Sequence, residues 1–166
     1  AGLAALAVVA GVYARRLGLR PAQSHDLGNL CLGFAFTVGY LFYVQFLVTW
    51  YGNLPAETRF LVLRLREAPW VALGRTVLAV GFVAPVAVLL FRKAKARPGV
   101  LAAVGCSALA GLWLERFVLV APSLARGGRV PFGLLDLLVT GGFLGLNALA
   151  VLAHLRRFPP APEAAP

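Results

Sequence analysis

Four times along this 166-residue chain, a long apolar block runs between short connections that carry Lys and Arg. Crossing a hydrocarbon core of about 30 Å as an α-helix takes roughly 20 apolar residues. Lipid offers backbone N–H and C=O groups no partners, so such a block must satisfy them internally, as a helix does. The predicted spans are about 29–51, 70–91, 100–121 and 132–155, with an apolar stretch 1–13 that is half a span long. The fold class expected is therefore an all-α integral membrane protein, a transmembrane helix bundle of four complete spans plus a partial fifth at the N-terminus. Only 13% of the residues are charged, about half the fraction of a soluble domain. The Pro- and Ala-rich stretch 159–166 is expected to be disordered. Ala1 already lies in an apolar run and the chain has no Met, so it is expected to be the C-terminal part of a longer polypeptide.

A net charge of +10 would point to nucleic acid in a soluble protein. Here the basic residues cluster between apolar blocks, which is the signature of membrane orientation, and no nucleic-acid partner is expected. One set of connections holds Arg15, Arg16, Arg20, Arg92, Lys93, Lys95, Arg97, Arg156 and Arg157; the other holds Arg59, Arg64, Arg66, Arg126 and Arg129. The richer side is expected to be cytoplasmic, which puts the C-terminus inside and the Asn53–Pro55 turn outside. The setting expected is a bacterial inner membrane, with the turn on the periplasmic side. Cys31 and Cys106 both fall inside apolar blocks and have no metal-ligand spacing, so they read as small buried hydrophobes.

An ionised side chain at the bilayer centre costs at least about 2.5–3.5 kcal/mol, so charges within spans are the first candidates for function. Arg75, Glu115, Arg116 and Asp136 are expected one to two turns below the outer surface, level with Asn53 and Glu57. They read either as one proton-handling or ligand-binding cluster or as ion pairs that register the helices. In the last span, Asp136, Thr140, Phe143, Asn147 and His154 share a face. That face covers roughly 27 Å at 1.5 Å per residue and could line a proton route. Gly141 and Gly145, on the same helix, make a small-xxx-small pair suited to helix packing. Phe36, Tyr40 and Tyr43 could hold a quinone ring, although aromatics in a span more often pack helices. His25 and His154 lie outside the apolar middle of their helices, so a haem bridging them is not expected. His25 and Asp26 fall in the connection before the first full span, in what reads as its entry turn.

Two stretches carry a more specific likeness: HDLGNL at His25–Leu30 and YVQFLVTWYGNLPAET at Tyr43–Thr58. With Arg66 and Trp70 following, and LERFVLVAP at Leu114–Pro122, the chain resembles the NrfD/polysulfide-reductase membrane-subunit family, in particular the membrane subunits of alternative complex III. Gln45, Trp50, Asn53, Leu54 and Pro55 match that family's pattern, its acidic residue falls on Glu115, and its Glu-Glu pair is here Ala56-Glu57. The resemblance implies a quinol:cytochrome c oxidoreductase in an electron-transport chain. Its quinone would be menaquinone or ubiquinone, and its partners a second NrfD-like subunit, an iron–sulfur protein and multihaem cytochromes c. It also implies that this chain binds no haem or iron–sulfur cluster itself and instead contributes to a quinol site or a proton path. The alternatives from the residues alone are a purely structural membrane anchor and an ion-coupled transporter subunit; the latter lacks matching helix breaks in two halves.

Overall fold

The computed structural model describes residues 1–14, 18–124 and 133–157. Arg15, Arg16, the connection 125–132 with Arg126 and Arg129, and the tail 159–166 lie outside them. Among the described residues the chain is all-α, with four helices long and apolar enough to cross a membrane: Pro21–Gly52, Trp70–Leu90, Pro98–Ser123 and Leu134–His154. It is a multi-pass membrane protein. The chain divides into two units, one over Ala1–Val130 and one over Pro131–Pro166.

The first unit begins with α1 (Gly2–Val12), followed by α2 (Pro21–Gly52), the longest helix. It starts about two turns before the expected Asn29. Pro21 occupies the first helical position, where its missing N–H costs nothing, and the Gln23 side chain accepts from the Arg20 backbone N–H at 2.9 Å. His25 and Asp26 are thus inside the helix and not in a turn leading to it. The far end stops at Asn53, which takes the left-handed conformation with φ 43°. Gly52, the expected turn residue, is still helical; Asn tolerates this conformation better than any other residue with a side chain.

The connection expected after Tyr51 is itself a helix, α3 (Pro55–Leu65), with Pro55 at its start, Glu57 in its first turn and Arg64 in its last. This is the order in which charges complement the helix dipole. The next span is α4 (Trp70–Thr76), a π-helical segment (Val77–Val83) and α5 (Ala84–Leu90). A single helical turn, α6 (Arg92–Lys95), leads to α7 (Pro98–Leu124), which carries on through Pro122 where the span was expected to stop.

The two prolines inside spans explain two of the polar contacts. In the π segment each N–H reaches back five residues, as Ala84 N–H does to Ala79 O. Pro85 has no N–H to offer Val80 O in that register, and the Ser107 hydroxyl of α7 donates to it at 2.7 Å. Pro122 likewise leaves Val118 O without its helical donor, and Arg64 fills that place from α3. Ser107→Ala is expected to lower stability in detergent by about 1 kcal/mol, the usual net worth of one hydrogen bond. A thermal melt checks it, and an unchanged midpoint would show that Val80 O finds another donor.

Within lipid, apolar contact between helices gains little over contact with acyl chains, so close packing and polar contacts carry the association. The tightest crossing sets Gly81 of the π segment against Gly111 of α7: a Cβ on Gly81 would stand 3.0 Å from Gly111 Cα, and one on Gly111 would overlap Gly81. Helix α1 also lies close on α7, where a Cβ at Gly105 would meet Ala4 O at 2.6 Å. Ala7, Leu89, Leu101 and Val104 form the core, flanked by Leu27, Cys31, Leu32, Val88 and Val100. The second unit is described by α8 (Leu134–Arg157), a single helix with most of its apolar side chains exposed.

Candidate functional site

Two clusters of polar side chains stand at opposite ends of the first unit. At one end, Lys95 of α6 turns inward, only 8% exposed, and donates to Asn29 Oδ1 at 2.7 Å. Its stem crosses α2 at Gly28, where a Cβ would come within 2.9 Å of Lys95 Cγ. The Gly-Asn of HDLGNL therefore has a direct physical reason: glycine clears the path of the lysine stem and asparagine receives its ammonium. One turn earlier, Asn29 Nδ2 lies 3.3 Å from His25 Nδ1. The amide can donate there when that ring nitrogen carries no proton. The same nitrogen stands 3.8 Å from Asp26 Oδ1, so a protonated His25 has a carboxylate to turn to. Asp26 is 77% exposed, and with Asn29, Leu30, Gly33, Phe34 and Thr37 it lines a shallow, open groove along one stripe of α2. The Thr37 hydroxyl is engaged by Gly33 O at 3.0 Å, which leaves Asp26 as the group in that groove able to accept a proton.

At the other end stands Arg64, which the sequence presents only as one of several charges in a connection. It is buried, and its guanidinium donates from Nε to Val118 O at 3.2 Å, from Nη1 to Phe60 O at 2.9 Å, and from Nη2 to Leu119 O and to Ser123 Oγ. Its Cζ lies 3.4 Å from the centroid of the Phe60 ring, a cation–π contact. Burial pulls its pKa below the ordinary arginine value, yet a guanidinium stays charged in proteins. The site is thus a cation held by carbonyls, a hydroxyl and a ring, and it ties α3 to the Pro122 end of α7. A missing donor at Pro122 was the one sequence signal pointing to it.

The intramembrane charges are placed differently from one another. Glu115 and Arg116 are neighbours on α7 at 3.9 Å, with the arginine side chain 73% exposed. Arg75 is exposed on α4 and makes no ion pair among the described residues. Glu57 and Asn53 are exposed at the α2–α3 turn. Tyr40 and Tyr43 are exposed on α2. Asp136 lies in the first turn of α8, where its Oδ2 accepts from the Gly133 backbone N–H at 2.9 Å and caps the helix. On the same helix Asn147 Nδ2 donates to Phe143 O at 3.2 Å, Thr140 is half-buried, and His154 is exposed in the last turn. Gly141 and Gly145 have open space around them within this unit. Among the described residues no group of three or more His, Cys, Asp or Glu side chains could hold a metal ion. No family model, curated protein or solved structure matches the chain.

Proposed function

We propose that the chain is a membrane subunit of a quinol:cytochrome c oxidoreductase resembling alternative complex III, and that it contributes one wall of a quinol site and part of a proton path. The observation that carries this reading is the His25–Asp26–Asn29–Lys95 cluster beside an open groove. A quinol brings two electrons and two protons, and the protons need acceptors within hydrogen-bond reach of its ring hydroxyls. Asp26 and His25 are such acceptors, Leu30 and Phe34 supply an apolar floor, and buried Lys95 holds Asn29 and through it the His25 ring. The electrons pass to redox centres of the partner chains: an iron–sulfur protein and multihaem cytochromes c. The groove is open along its length, so a second membrane subunit of the NrfD kind is the proposed opposite wall. Glu115 and Asp136 are the candidate groups for proton release, and the basic end is proposed to face the cytoplasm of a bacterium.

Two variants of the intact complex test the reading. Asp26→Asn is expected to lower quinol:cytochrome c turnover about a hundredfold, the usual worth of a positioned proton acceptor. Asp136→Asn is expected to lower the protons released per turnover. Normal turnover and normal proton release from both, at normal assembly, would sink it. The capping bond of Asp136 favours a second reading, a structural anchor, which predicts less assembled complex and unchanged turnover per complex.

A further inference from the structure

Seven residues, 91–97, join the span that ends at Leu90 to the one that begins at Pro98, and four of them are basic. Lys95 is turned inward and engaged by Asn29. Arg92, Lys93 and Arg97 are exposed and make no ion pair among the described residues. In this unit the one acidic side chain described at the same end, Asp26, faces His25 at 3.8 Å. Directly beside the three cations, Leu90 and Phe91 are 60% and 70% exposed. So short a connection between two spans keeps the cations close to the plane where hydrocarbon gives way to headgroups.

We propose that Arg92, Lys93 and Arg97, with Leu90 and Phe91 against them, bind the phosphate headgroup of an anionic phospholipid. Three unneutralised cations want an anion that can meet several at once, and a phosphate offers multiple acceptor oxygens to guanidinium donors. An acidic peptide would satisfy the charges, but it would leave two large apolar side chains uncovered beside them. A phospholipid satisfies both with one molecule: phosphate on the cations, acyl chains on Leu90 and Phe91. Such basic clusters next to membrane helices attract anionic headgroups. This inference is independent of the quinol reading.

The test uses the purified full chain in mixed micelles, with binding followed by lipid-dependent thermal stabilisation. The additions are phosphatidylglycerol, phosphatidylcholine, water-soluble glycerol phosphate and a polyglutamate peptide. Phosphatidylglycerol is expected to stabilise the protein, less so at high salt, and the other three are expected to do little. Each exposed basic residue near a membrane surface is worth about fivefold in affinity, so Arg92→Gln/Lys93→Gln/Arg97→Gln together should weaken the response roughly a hundredfold. Lys93→Gln alone should weaken it about fivefold, which keeps the test decisive if the triple variant does not fold. Arg59→Gln/Arg66→Gln, at the opposite end of α2, should leave it unchanged. An equal response to phosphatidylcholine, a response to glycerol phosphate or polyglutamate in place of the lipid, or a full response from the triple variant would each overturn the proposal.

Discussion

Replacing Arg64 by alanine is expected to lower the unfolding midpoint of the detergent-solubilised protein by roughly 6–12 °C, from a loss of about 3 kcal/mol at 2–4 °C per kcal/mol for a chain of this size. The loss has two parts. Four donated hydrogen bonds disappear, and Val118 O is left without a donor because Pro122 cannot supply one. Lysine should recover less than half of it, since a single ammonium cannot reproduce the planar fork that reaches Val118, Leu119 and Ser123 together. The decisive measurement is a double-mutant cycle. Pro122→Ala returns an N–H to the Val118 carbonyl, so Arg64→Ala should cost about 1 kcal/mol less in that background, within the usual range of coupling between contacting residues. An identical cost in both backgrounds would show that the arginine acts through something other than the carbonyl freed by proline.

The second large effect is expected at the Gly81–Gly111 crossing. Gly111→Val should cost about 3 kcal/mol or more, the upper range for overpacking a site that cannot relax. The atoms it would displace are backbone atoms of Gly81, and no rotamer change can move them aside. Loss of monodisperse folded protein on size-exclusion chromatography is the expected readout. Gly141→Ala is the matched control: nothing described within its own unit stands within 4 Å of a Cβ there, and alanine gains up to about 1 kcal/mol over glycine inside a helix. If the two variants behaved alike, the close crossing would not be what holds α7 to the π segment.

The four spans were legible because a long apolar block in a chain with so little charge has one structural solution. The errors fall where helix continues beyond apolar sequence. Pro21 with Gln23, and Pro55 with Glu57 and Arg64, are start and stop signals that were present but were outweighed by polarity. Pro122 was read as a stop, yet the helix persists: Arg64, 54 positions before Val118, gives that carbonyl the donor the proline removes. Contacts of that separation leave no periodicity in the sequence. The same holds for Lys95, counted as a loop charge until its 66-residue reach to Asn29 is seen. For the candidate site, the HDLGNL stretch singled out His25 and Asp26, and the structure sets them beside Asn29 and Lys95. The groove beside them depends on which stripe of α2 is left uncovered, and that is a property of packing.

Helix α2 has 32 residues, about 48 Å at 1.5 Å per residue, against a hydrocarbon layer of about 30 Å. Containing all of it would take a tilt of roughly 50°, beyond the 0–40° that membrane helices show. With Trp50 and Tyr51 anchored at one interface, the first two turns of the helix must rise clear of the acyl chains at the other. His25 and Asp26 then stand at or beyond the acyl boundary. The groove runs from that end at Asp26 into the membrane at Thr37, roughly 16 Å deeper. On the proposed quinol reading, a lipid-soluble ligand slides in from the acyl side and meets water only at its head.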